Sequence, residues 1–140
     1  MKKVLVLCTG NSCRSQIAHG FLNYYTGNRH LIYSAGISPH DINPLAIKTM
    51  SELGIDISLH TSNDLKEYLN IDFDYLITVC DHAHEHCPIF PKDTAKRIHQ
   101  NFQDPSKITG TDDQIKQAFV SCRNEISIFC LEFCKKHLSH

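Results

Sequence analysis

This sequence has no excess charge of either sign. With 14 Lys and Arg against 15 Asp and Glu, the formal net charge is −1, so no global field draws the chain to nucleic acid or to an anionic membrane. Any anion it binds must be held by a local site. Long apolar runs are also missing, and nothing approaches the roughly 20 residues of a membrane span. The opening Met1-Lys2-Lys3 and the apolar Val4 to Cys8 resemble a secretion signal only faintly. The run is about five residues, shorter than a signal core, and Gly10, Asn11 and Arg14 follow at once. Repeats, low-complexity tracts and linkers are absent. At 140 residues the chain has the size of one domain, long enough to bury a core without metal or disulfide staples.

Cysteine and histidine are what the chain has in excess, with seven and ten respectively. The cysteine number is odd and the chain is longer than a secreted disulfide scaffold. In a cytoplasmic chain, the expected location here, cysteines more often serve catalysis, redox or metal chemistry.

Lys3 to Leu7 reads as a strand buried on both faces of a parallel sheet. Thr9 to Arg14 reads as a loop, and from Ser15 the residues Ile17, Ala18, Phe21, Leu22 and Tyr25 share one helical face, which Gly27 ends. Leu31 to Ser34 is a second strand. Asn43 caps a helix with Pro44 at its first position; its stripe is Ala46, Ile47, Met50 and Leu53, with Gly54 as the stop. A short extended piece at Ile55 to Ser58, a short helix from Ser62 to Leu69, a strand at Tyr75 to Val79 and a last strand within Ala95 to Phe102 follow. The final helix spans Asp112 to His137, with Ile115, Ala118, Phe119, Cys122, Ile126, Phe129, Cys130 and Phe133 on its inner face. Alternating strands and helices predict a single α/β domain, a four-stranded parallel sheet flanked by helices. Ligands in such folds sit at the carboxyl ends of strands, where both Cys8 and Cys80 are expected.

Cys8-Thr9-Gly10-Asn11-Ser12-Cys13-Arg14 is a cysteine and an arginine separated by five small or polar residues. Seven cysteines and four arginines would produce about 0.2 such pairs by chance, so spacing alone says little. The position says more: the motif leaves a buried strand and opens an amphipathic helix. A loop of this length can wrap a tetrahedral oxyanion with backbone N–H groups, aided by the helix N-terminus. Arg14 can grip two oxygens. The same field is expected to lower the Cys8 pKa and leave a thiolate at neutral pH, an activated nucleophile. Ser15 could donate a hydrogen bond to its sulfur.

Cys8 to Gln16 closely resembles the signature loop of thioredoxin-coupled arsenate reductases, which share their fold with low-molecular-weight protein tyrosine phosphatases. The resemblance continues in order through Tyr33-Ser34-Ala35-Gly36, Asn43-Pro44, Ile55-Asp56-Ile57-Ser58, His60-Thr61-Ser62, Cys80, Cys87-Pro88 and Asp104-Pro105. It implies an oxyanion loop of Thr9, Gly10, Asn11, Ser12, Cys13, Arg14 and Ser15, with Asp104 as proton donor. It also implies a relay in which Cys8, Cys80 and Cys87 reduce arsenate to arsenite. No cofactor is expected: reduced thioredoxin supplies the electrons, the chain is a monomer, and phosphate or sulfate compete for the loop. Seven residues of regular helix would separate Cys80 from Cys87 by about 10 Å along the axis. A disulfide tolerates only about 4.4–6.8 Å between Cα atoms, so the segment must unwind on oxidation.

Two other readings remain open at this stage. A phosphatase would use Cys8, Arg14 and Asp104 without Cys80. Ser106 stands where phosphatases of this fold usually carry a ring-holding aromatic, and Asp104 is also an ordinary turn residue before proline. The second alternative is a non-enzymatic thiol redox sensor or metalloid-binding protein. The related reductases often bind potassium near the loop; Asn11 and Ser34 match that ligand set, but His19 and Asn63 replace its carboxylates, so weak or no potassium binding is expected. The alternation of His82, His84 and His86 argues against a metal site and for a solvated, mobile stretch. Cys122 and Cys130, with Cys134 at the border, are expected as small core residues. Cys13 either pairs with Cys8 on oxidation or packs behind the loop.

Overall fold

The structure is a computed structural model and describes residues 1–91 and 93–138. Four strands, β1 (Lys3–Cys8), β2 (Leu31–Gly36), β3 (Tyr75–Thr78) and β4 (Lys96–His99), form one parallel sheet in the order β2-β1-β3-β4. The helices are α1 (Arg14–Thr26), α2 (Pro44–Ser51), α3 (Asp81–His86) and α4 (Asp112–Phe133). The expected fold class is therefore the observed one. Among the described residues no helix is long and apolar enough to cross a membrane.

The β1 run is apolar throughout because it lies at the centre of the sheet: Val4, Leu5, Val6 and Leu7 have no exposed surface. Chain order reverses around this strand, with β2 on one side and β3 on the other. That reversal opens a crevice at the carboxyl ends of β1 and β3. Leu7 is in register with Thr78, and the Val79 amide continues the ladder to the Leu7 carbonyl at 3.0 Å. Cys8 and Cys80 therefore leave the sheet side by side.

α1 buries Ile17, Ala18, Phe21 and Leu22, and Gly27 ends it in the left-handed conformation (φ 58°). α4 lies against α1, joined by the contact of Tyr25 Oη with Ser127 Oγ. Between α4 and α2, the half-covered pair of Arg123 and Glu52 (3.2 Å) and an Arg123 donation to the Thr49 carbonyl (3.0 Å) close the packing.

Several expected boundaries shift. α1 starts at Arg14 rather than Ser15, and β2 runs on to Gly36. Leu53 lies beyond α2 and is 47% exposed, while Thr49 is buried in its stead. The segment at Ser62 to Leu69 holds only a 3-10 turn, Leu65–Tyr68, with a capping box between Asp64 and Glu67. α4 gives way at Cys134 to a π turn that ends at Leu138, while Cys122, Cys130 and Cys134 are all buried, as expected of small core residues. The histidine stretch, expected to be mobile, is the helix α3: His82 and His86 share one face with ring centroids 4.3 Å apart, and His84 stacks on His99 at 4.2 Å. Among the described residues no group of three or more His, Cys, Asp or Glu is placed to hold a metal.

Candidate active site

The loop after β1 turns at Asn11, whose φ of 48° lies in the left-handed region that asparagine tolerates. Its partners hold it there. The Asn11 amide donates to Cys8 Sγ at 3.3 Å, Nδ2 donates to Ser15 Oγ at 2.8 Å, and Oδ1 accepts from the Asn63 amide at 2.9 Å. Gln16 Nε2 and Ser62 Oγ both donate to the Asn11 carbonyl, at 3.0 and 2.6 Å. Each polar atom of Asn11 thus fixes the curvature of the loop. Gly36 permits the close approach of β2: a Cβ there would lie 2.7 Å from the Thr9 carbonyl oxygen.

Cys8 Sγ lies at the base of the loop, 2.9 Å from Ser15 Oγ. Because Nδ2 of Asn11 can only donate to that hydroxyl, the Ser15 O–H is free to point at the sulfur. Burial pushes the Cys8 thiol up from its ordinary value; the Ser15 hydrogen bond and the Arg14 charge act the other way, and Cys80 adds to the rise. The expectation of a resting thiolate is therefore corrected: desolvation outweighs the hydrogen bonds and charge gathered around the sulfur.

A cavity of about 170 Å³ opens above this sulfur, lined by Cys8 to Gly10, Ser12 to Arg14, and then His40, Asp104, Ser106 and Lys107. It is smaller than the roughly 300–1,000 Å³ of a drug-sized pocket. A larger cavity of about 460 Å³ between α2 and α4 contains none of the loop residues. The guanidinium of Arg14 is fixed by donation to the Phe102 carbonyl at 2.8 Å and by an ion pair with Asp104 at 3.5 Å. Asp104 serves two tasks. Its Oδ1 caps the following turn by accepting from the Ser106 amide and hydroxyl, and its Oδ2 faces Arg14.

Cys80 caps α3: its sulfur accepts from the Ala83 amide at 3.4 Å and lies 3.4 Å from Thr9 Oγ1. Cys87 ends the same helix, half-buried, with Arg97 donating to its sulfur at 3.4 Å. The structure thus brings Cys8, Arg14, Cys80 and Asp104 together and leaves Cys87 at the far end of α3. All seven cysteines are free thiols. Cys13 packs behind the loop, where burial and the neighbouring Cys122 thiol push it up.

The positions aligned with a potassium site do gather, as paired side chains. His19 Nδ1 contacts Ser34 Oγ at 2.8 Å, and its ring lies 4.3 Å from that of His60. Burial, then His60, lowers His19 to about 3, so it is a neutral imidazole at ordinary pH. Sequence reasoning missed His40, Lys107 and Arg97, each brought in from a distant loop or edge strand. His40 packs against Gly10, where an added Cβ would meet its ring at 2.3 Å.

The sequence is 45% identical over 125 residues to an arsenate reductase of Halalkalibacterium halodurans, covering 89% of each chain. It is 41% identical over 134 residues to the arsenate reductase of Bacillus subtilis, covering 96% of each. A solved arsenate reductase in its phosphate-binding state superimposes with a TM-score of 0.74 at 28% identity, over 97% of this chain and 98% of that one. The family profile of low molecular weight phosphotyrosine protein phosphatases matches residues 3–136. The protein belongs to the low molecular weight phosphotyrosine protein phosphatase family.

Proposed function

We propose that this protein reduces arsenate to arsenite through a thiol relay of Cys8, Cys80 and Cys87, re-reduced by thioredoxin in the cytoplasm. The observation that carries the reading is the second sulfur beside the anion loop, Cys80 Sγ at 3.4 Å from Thr9 Oγ1. A phosphatase has no use for that thiol, because water completes its reaction. The curated relatives named arsenate reductase support the same substrate.

In the proposed sequence Cys8 passes its proton to the bound arsenate dianion and attacks arsenic as the thiolate, while Arg14 and the loop amides stabilise the oxyanion. An As–O bond breaks, and Asp104 protonates the oxygen that leaves as water. Cys80 then attacks Cys8 Sγ. The S–As bond breaks, its electron pair stays on arsenic, and arsenite departs, leaving a Cys8–Cys80 disulfide. Cys87 attacks Cys80 and releases the Cys8 thiolate. Thioredoxin, a dithiol, reduces the resulting Cys80–Cys87 disulfide, which must form by unwinding α3.

The test is arsenate-dependent NADPH consumption with thioredoxin and thioredoxin reductase, repeated with glutaredoxin. Turnover with thioredoxin is expected; arsenate turnover with glutaredoxin alone would refute the donor, and none with either would refute the reading. A second reading, phosphate-ester hydrolysis, is favoured by Asp104 facing Arg14 and by the family. Cys80→Ser separates the two: a phosphatase keeps full p-nitrophenyl phosphate hydrolysis, whereas lost arsenate turnover beside only weak side phosphatase activity fits the reductase, whose loop binds both anions.

A further inference from the structure

β4 places Arg97 under the carboxyl end of α3, away from the anion loop. One guanidinium nitrogen donates to Cys87 Sγ at 3.4 Å, and the other donates to the Pro88 carbonyl at 3.4 Å and to Asp93 Oδ1 at 3.1 Å. A cavity of about 110 Å³ lies between α3 and the sheet at this corner, lined by Thr78, His84, Cys87, Arg97 and His99 among others.

We propose that Arg97 is the positioning residue that activates Cys87 for attack on the Cys8–Cys80 disulfide, an inference that rests on the relay reading above. In that step the Cys87 thiolate forms a bond to Cys80 Sγ, the Cys8–Cys80 bond breaks, and Cys8 leaves as the thiolate, so no outside oxidant or proton donor is needed. The attacking group must be a thiolate. Half-burial opposes this by pushing the Cys87 thiol up, as does Asp93 more weakly, and the groups acting the other way are the charge and hydrogen bond of Arg97. Among the described residues no hydroxyl serves Cys87 as Ser15 serves Cys8.

The geometry adds a second role. The planar fork of Arg97 holds the sulfur and the next carbonyl at once, so the Cys87–Pro88 end stays docked on β4 while α3 opens. The other end is tied separately. The Asp81 amide donates to Asn101 Oδ1 at 3.0 Å, and Asp81 Oδ1 pairs with His99 Nε2, which lies beside Thr78 through Nδ1. A lysine could supply the charge but not the fork.

The experiment compares wild type, Arg97→Ala and Arg97→Lys after reduction. The Cys87 peptide is followed by mass spectrometry during iodoacetamide alkylation across pH, and the disulfides are mapped after one equivalent of arsenate. In Arg97→Ala we expect Cys87 alkylation near neutral pH to slow about tenfold, with its profile moved to higher pH. The single burst of arsenite, which needs only Cys8 and Cys80, keeps its size, and the Cys8–Cys80 species accumulates. Arg97→Lys restores most of the alkylation rate. An unchanged Cys87 profile in Arg97→Ala overturns the proposal, as does loss of the burst together with the later step, which would mark a structural role. If the wild type forms neither disulfide, the relay itself fails, and the proposal falls with it.

Discussion

Ser15 Oγ stands between two partners, 2.9 Å from Cys8 Sγ and 2.8 Å from Asn11 Nδ2. The amide nitrogen donates to the hydroxyl and the hydroxyl turns its proton to the sulfur. Ser15 is the first of the groups that oppose the effect of burial on Cys8. Ser15→Ala should raise the thiol further and slow Cys8 alkylation at neutral pH by about tenfold. Peptide-resolved alkylation rates check this, and an unchanged Cys8 rate would contradict it.

Asn11 holds the loop through its side chain and through a positive φ. Asn11→Ala keeps the unfavourable φ and loses both side-chain bonds. A loss of about 2 kcal/mol is expected, read by urea denaturation, with a smaller rise in melting temperature on adding sulfate. Normal stability and a normal sulfate response would show that the loop is held by other means.

Asp104 is expected to lose its proton-donor role in Asp104→Asn while the capping of the Pro105–Lys107 turn survives through the amide oxygen. Arsenite release in a single turnover should then fall about a hundredfold. Phosphate should bind at least as well, because a negative charge beside Arg14 has gone. Equal losses in affinity and rate would point to a purely structural Asp104.

The pH prediction concerns His19, lowered by burial and then His60 from 6.5 to about 3. The unfolded chain takes up a proton below pH 6.5 that the folded chain refuses until about pH 3. The stability this neutral histidine permits is therefore full above 6.5 and is lost as pH falls through that window. From neutral pH to pH 5 the loss is about 2 kcal/mol. Equilibrium unfolding should show this slope in the wild type and a shallower one in His19→Gln; equal slopes would contradict the assignment.

Local features of the site were the legible ones. The strand, turn and helix around Cys8 to Arg14 follow from residues adjacent in the chain, and Asn43-Pro44 marked the start of α2 for the same reason. Cys8 and Cys80 could be placed at strand ends, but their neighbouring position depends on the β1–β3 pairing, which periodicity does not encode. Leu53 fitted the α2 stripe yet falls after the helix has ended. The Cys8 pKa was misjudged because its direction depends on burial by the whole fold, whereas the loop's charges were visible locally. His40, Lys107 and Arg97 carry no local motif that marks a distant sulfur or loop as their neighbour.

The central claim is that the electrons that reduce arsenate reach the anion site through Cys80, and disulfide mapping in Cys87→Ser after a single turnover with arsenate tests it most directly. The account predicts one arsenite released per chain and a Cys8–Cys80 disulfide trapped in the product. Arsenite released while Cys80 is recovered as a free thiol would contradict it.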